Sequence, residues 1–117
     1  MIAIIDYGAG NIRSVLNMLK AFGQSARIIE SPEGLVDITR IILPGVGHFD
    51  HGMAGLANRG LIGPLRERVL ADGIPFLGIC LGAQLIARKS AEGSLPGLGW
   101  VAADVVAFDQ KRMTGDL

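Results

Sequence analysis

The chain contains a single cysteine, Cys80, and the residues around it are arranged for chemistry. It lies in Ile74–Leu85, IPFLGICLGAQL, after an apolar run and before a helix-like pattern. Gly78 and Gly82 stand two positions to either side. G-x-C-x-G between a strand and a helix is the thiol counterpart of a nucleophile elbow. The turn is so sharp that side chains at the flanking positions collide, which favours glycine. A helix N-terminus beneath a thiol offers amides and a dipole that favour the thiolate, the reactive species. The amide of Leu81 would then point to where an oxyanion develops. A lone cysteine is more commonly a small packing residue. The strand, the glycine pair and the helix together favour the elbow.

Two further loops could join such a site. In Leu43–Phe49, LPGVGHF, Gly45 and Gly47 leave backbone amides uncovered and could supply a second oxyanion donor; the same two glycines could also simply make a turn. In Asp6–Arg13, DYGAGNIR, Gly8 and Gly10 resemble the start of a dinucleotide fingerprint, with Glu30 at a suitable distance beyond. Arg13 holds the position of the third glycine, where close helix–strand packing is needed, and this argues against nucleotide binding. His48 and His51 form H-x-x-H with no further histidine or cysteine nearby, a weak pattern for a metal. They read as solvated loop residues, with His48 as a base for Cys80 the alternative.

The elements that must position these loops follow from hydrophobic pattern. Ile2–Ile5 is a continuous apolar run of the kind buried on both faces of a parallel sheet. Asn11 can cap a helix whose apolar face is Ile12, Val15, Leu16, Leu19 and Phe22, closed by Gly23. Residues 26–30 and 40–43 are predicted strands, with a short helix starting near Ser31 between them. Residues 44–53 read as a glycine-rich loop, 61–71 as a helix, 74–79 as a strand, 81 to about 89 as a helix and 100–108 as a fifth strand. Strands alternating with helices predict an α/β fold with a mainly parallel sheet, whose function sits at the carboxyl ends of the strands.

Composition sets outer limits. The 117 residues suffice for one domain, and half of them are hydrophobic. Eleven basic residues balance eleven acidic ones, so charge gives no reason to expect nucleic acid or an anionic membrane as partner. No apolar run approaches the roughly 20 residues needed to span a bilayer. The opening MIAIIDYG has no basic leader or cleavage pattern, and one cysteine suits a reducing compartment, so a cytoplasmic location is expected.

Taken in order, DYGAGNIRSV, LPGVGHFDHGM, GICLGAQ and SAEGSLPGLGWV resemble the class I (triad) glutamine amidotransferases across essentially the whole chain. Within that class PGVG, in place of the commoner PGGP, and the opening DYGxGN are most similar to the glutaminase subunits of imidazole glycerol phosphate synthase, which serve histidine biosynthesis. The resemblance implies a flavodoxin-like three-layer sandwich, with residues 1–117 as a single, partial amidotransferase domain. It implies that Cys80 attacks the side-chain amide of glutamine to form a thioester. Leu81 with Gly45, Val46 and Gly47 would hold the oxyanion, and Gly47 and Gln84 would line the glutamine pocket. Asn11 would face a (β/α)8 cyclase subunit that receives the ammonia. No cofactor or metal is implied.

The resemblance is incomplete in one respect. The family carries a histidine and a glutamate, H-x-E, near its C-terminus, preceded by a PHMGWN-like segment. Here no histidine follows His51. The expectation is a C-terminally truncated form that holds the nucleophile and oxyanion half of the site, with sheet surface left uncovered. The alternatives are a noncatalytic docking module of the same descent, an amidotransferase feeding another acceptor such as a sugar, and a different cysteine hydrolase using His48 or an intersubunit base.

Overall fold

The computed structural model describes residues 1–107. Its elements, in order, are β1 (Ile2–Ile5), α1 (Ile12–Ala21), β2 (Ala26–Ile29), a 3-10 turn (Pro32–Leu35) and β3 (Arg40–Leu43). There follow α2 (Phe49–Asn58), α3 (Ile62–Arg66) running into a π-turn (Glu67–Ala71), β4 (Phe76–Gly78) and α4 (Leu81–Leu85). Two short strands, β5 (Lys89–Ser90) and β6 (Asp104–Val105), pair with each other apart from the main sheet. The main sheet has the order β2-β1-β3-β4, and every pairing is parallel. Its strand order steps outward both ways from β1, as in the flavodoxin-like doubly wound folds, and leaves the strands' carboxyl ends at one edge.

β1 explains the layering. All four of its residues are buried, and they alternate between two cores as a strand must. Ala3 and Ile5 join the larger core with residues of α2, α3 and α4, such as Met53, Leu56, Leu65 and Leu85. Ile4 faces the other way, onto Ile12 and Leu16 of α1. Each fully buried isoleucine contributes about 1.5–3 kcal/mol, so this one strand anchors both sides of the sheet. β4 closes the described sheet at the other edge, and Leu77 on it is 55% exposed.

Several boundaries differ from the sequence reading. Asn11 occupies the N-cap position of α1, but its side chain makes no cap hydrogen bond. The stretch expected to be loop through Met53 is loop only to His48; α2 begins at Phe49. Gly52 and Gly55 conceal this helix in the sequence, because glycine costs about 1 kcal/mol in a helix interior. They are small because something lies against them. A Cβ on Gly52 would press on Leu81 and Leu85 at 3.1–3.3 Å, and one on Gly55 would overlap the backbone carbonyl of Tyr7. α4 ends at Leu85, short of the expected span. The carbonyls of Leu85, Ile86 and Ala87 instead accept from the amides of Leu98, Trp100 and Gly99, which fold back over the helix end. Of the strand expected over 100–108, only Asp104–Val105 is extended, and Phe108 lies outside the described residues.

Two glycines in the same layer should therefore respond in opposite ways. Gly63 in α3 has nothing within 4 Å of a Cβ. Gly63→Ala is expected to stabilise the fold by about 0.4–1 kcal/mol through the unfolded state. Gly55→Ala gains the same propensity but drives a methyl into the Tyr7 carbonyl, and overpacking of about 1–3 kcal/mol wins. Denaturant melts of the two variants should shift in opposite directions; a stabilised Gly55→Ala would refute the packing argument.

Candidate active site

Cys80 sits at the turn from β4 into α4, with φ 53° and ψ −117°. It is the one non-glycine residue with positive φ among those described. Such a backbone costs about 1–3 kcal/mol and persists only where its surroundings impose it. Here the strand ladder holds one side, through the Ile79 amide donating to the Leu43 carbonyl at 3.0 Å. The first turn of α4 holds the other, through the Ala83 amide donating to the Cys80 carbonyl at 3.0 Å. The flanking glycines are required, as the motif implied. A Cβ on Gly78 would meet the Ala83 backbone at 2.8 Å, and one on Gly82 would overlap the Leu43 carbonyl. The thiol itself is exposed.

The amides beneath the thiol are arranged differently from the expectation. Leu81 does not offer an open N–H: it donates to the carbonyl of Gly45 at 3.0 Å. The Gly82 amide is likewise taken, by the Ile79 carbonyl at 3.0 Å. The cause is that the loop after β3 lies directly on the start of α4, close enough that a Cβ on Gly45 would stand 3.2 Å from Leu81 Cβ. Of the expected oxyanion residues, Gly45 lies against Leu81, but this conformation presents its carbonyl to the Leu81 amide. Val46 is 63% exposed, and Gly47 takes φ 113°, a conformation suited to glycine.

A third loop reaches the same point. A Cβ on Gly10 would stand 2.9 Å from the Gly45 Cα. Tyr7, at the carboxyl end of β1, is fully buried, and a Cβ on Gly45 would overlap its hydroxyl. That hydroxyl has no hydrogen-bond partner among the described residues. Burial raises the phenol's pKa, which keeps it protonated and a donor. A buried donor left unpaired costs about 1–3 kcal/mol. Sequence reading passed over Tyr7; an aromatic residue directly beyond a buried strand and before Gly8 was the available signal.

The two histidines have structural duties. His48 caps α2, its Nδ1 accepting from the Asp50 amide at 3.1 Å. His51 Nε2 lies 3.3 Å from the Gly8 carbonyl and, as the donor, ties α2 to the first loop. Asp50, also missed, pins the 93–95 segment. Its carboxylate accepts from the Ser94 and Leu95 amides at 2.8–3.0 Å and from Ser94 Oγ at 3.1 Å. Those bonds, led by the Ser94 amide, hold its carboxyl below the usual carboxylate range. Glu92 accepts from the Phe49 amide at 2.9 Å, a second tie between α2 and this segment. Gln84 lies on the exposed side of α4 and lines an open cleft of about 300 Å³ with Ser90, Glu92 and Val105. Asn11 is exposed beside Gly10 at the head of α1.

The strain at Cys80 gives a measurable consequence. Cys80→Gly should relieve the positive φ, worth about 1–3 kcal/mol. It adds about 0.5–1 kcal/mol of backbone entropy cost, so relief wins. Cys80→Ala keeps the strain. Thermal melts should therefore rank Cys80→Gly above Cys80→Ala; equal stability would mean that the turn is unstrained.

Comparison with known proteins places this arrangement. A family model described as glutamine amidotransferase class-I matches residues 3–115. The chain is 48% identical over 111 residues to imidazole glycerol phosphate synthase subunit HisH 2 of Pseudomonas aeruginosa, covering 95% of this chain and 55% of that one. It is 42% identical over 109 residues to imidazole glycerol phosphate synthase hisHF of Emericella nidulans, covering 92% of this chain and 20% of that protein. A crystal structure of a glutamine amidotransferase superposes with a TM-score of 0.76 at 24% identity, over 91% of this chain and 56% of the other, a likeness of fold. The chain spans about half the length of the curated HisH relatives it matches. With the elbow, the glycine loop over it and the parallel sheet that carries both, the family match over nearly the whole sequence establishes that this chain belongs to the class-I glutamine amidotransferases.

Proposed function

We propose that this chain supplies the nucleophile half of a glutaminase subunit of imidazole glycerol phosphate synthase. The observation that carries the reading is the strained turn at Cys80, held between two obligatory glycines beneath the Gly45 loop. A thiol set on a costly backbone, exposed, and adjacent to two candidate amide donors has the layout of covalent acyl-transfer chemistry. The likeness to imidazole glycerol phosphate synthase subunit HisH 2 and to imidazole glycerol phosphate synthase hisHF supports this acceptor pathway and a synthase partner.

In the proposed reaction the Cys80 thiolate attacks the side-chain amide carbon of glutamine. The C–N bond breaks, a proton passes to the leaving nitrogen, and ammonia departs from a glutamyl thioester. Water then adds to the thioester, the C–S bond breaks, and glutamate and the thiol are released. The sum is glutamine and water giving glutamate and ammonia. The oxyanion in both steps would be held by the amides of Leu81 and Val46. For this the Gly45–Val46 peptide must rotate, because its carbonyl now occupies the Leu81 donor. That rotation exchanges a carbonyl for an N–H at the same place. Gly47 and Gln84 would border the substrate. Asn11, exposed at the head of α1, would meet the (β/α)8 cyclase subunit that takes the ammonia.

The histidine and glutamate that complete the family's triad are not among these 117 residues. Loss of a triad member leaves only the fraction of the rate that positioning and an oxyanion hole supply. Incubated with glutamine at pH 7, the chain alone is expected to release ammonia at a background rate. Adding a polypeptide that carries the H-x-E segment should raise the rate by two or more orders of magnitude, and Cys80→Ala should abolish the gain. Efficient turnover by the chain alone would contradict the proposal. So would retained stimulation in Cys80→Ala.

A further inference from the structure

Tyr7 has no role in the reaction as written, yet its hydroxyl lies against Gly45, the residue whose carbonyl makes the blocking contact. Its phenol is fully buried, pressed against Gly45 and without a partner among the described residues, while the Gly45 carbonyl is bound to the Leu81 amide at 3.0 Å. We propose that Tyr7 is a positioning residue for the oxyanion loop: when the Gly45–Val46 peptide rotates, the Tyr7 hydroxyl receives the Gly45 carbonyl and holds the loop in its donor-presenting form. The inference rests on the glutaminase reading above.

In the present conformation Leu81 N–H and Gly45 C=O satisfy each other, and the phenol is the orphan. If the peptide turned with no acceptor bound, Tyr7 would be satisfied and the Leu81 N–H would become the orphan. If it turned with a substrate oxygen at Leu81, every one of these groups would be paired. Buried polar groups strongly favour the arrangement that pairs them all. Tyr7 therefore couples substrate binding to loop rotation, and does so without touching the substrate. It also accounts for Gly45, since any side chain there would occupy the space of the phenol oxygen.

The test uses two thiol reagents on the full chain at pH 9, where hydroxide takes the place of a general base. A glutamine-analogue chloroketone has a carbonyl that the oxyanion donors polarise; iodoacetamide alkylates by direct displacement and needs no such donors. In the wild type the chloroketone-to-iodoacetamide rate ratio at Cys80, against the same ratio for free cysteine, is expected to be well above one. Tyr7→Phe should lower it about tenfold, equivalent to about 1.4 kcal/mol, with the iodoacetamide rate unchanged. The variant should melt no lower than the wild type, because it removes an unpaired donor; a purely structural role would lower its stability and leave the ratio alone. An unchanged ratio in folded Tyr7→Phe overturns the Tyr7 role and leaves the glutaminase reading standing. A ratio near one in the wild type overturns the glutaminase reading, and the Tyr7 role with it. Should the Phe variant not fold, the chain's single tyrosine allows a second readout. With 3-fluorotyrosine incorporated, its one ¹⁹F resonance should move on chloroketone modification and stay fixed on carbamidomethylation. A resonance that the chloroketone leaves in place overturns the proposal.

Discussion

The site is organised around one backbone hydrogen bond, from the Leu81 amide to the Gly45 carbonyl. It joins the loop after β3 to the first residue of α4, directly beside Cys80. Three loops at the carboxyl edge of the sheet converge on it. The elbow contributes Leu81, the glycine loop contributes Gly45, and the first loop contributes Gly10 and the phenol of Tyr7. The approach is so close that a Cβ at Gly45 or Gly10 has no room. The parallel ladders beneath hold the strand ends in register, Ile4 beside Ile42 and Leu43 beside Gly78, so the loops have little freedom to separate.

On the proposed reading this geometry divides the site into a rigid part and a part that can rotate. The rigid part is Cys80, whose positive φ is enforced by the β4 ladder on one side and α4 on the other. The switchable part is one peptide plane, Gly45–Val46, whose outer end is exposed. Rotating a single peptide costs far less than repacking a core, because no buried side chain has to move. In the glutaminase proposed above, an exposed thiol beside a covered donor would keep the nucleophile in place and still avoid wasteful hydrolysis. The ties from His51 to Gly8 and from Asp50 to the 93–95 segment hold α2 to the loops on either side of this peptide.

The parts of this that were legible in the sequence are those set by sterics and hydrophobic period. Ile2–Ile5 and Ile41–Leu43 announce buried parallel strands because nothing polar interrupts them. G-x-C-x-G announces the elbow because only glycine fits beside so sharp a turn. α2 stayed hidden because its glycines answer to neighbours distant in sequence, Leu85 and the Tyr7 carbonyl, and weaken the helical signal locally. The occupied Leu81 amide was equally invisible: a motif fixes which groups meet, and loop torsions decide whether a donor or an acceptor faces the site. Tyr7 and Asp50 escaped notice for a related reason, since their significance lies in contacts to residues about 40 positions away, at Gly45 and Ser94.

On the proposed reading, the oxyanion donor at Leu81 is present but held by Gly45 until an acceptor replaces it. Nuclear magnetic resonance can read that bond directly, as the through-hydrogen-bond coupling between the Leu81 amide ¹⁵N and the Gly45 carbonyl ¹³C. The coupling is predicted to be present in the unmodified chain and absent once Cys80 carries the glutamine-analogue ketone. A coupling that persists in the adduct, or that is missing from the unmodified chain, would contradict the claim.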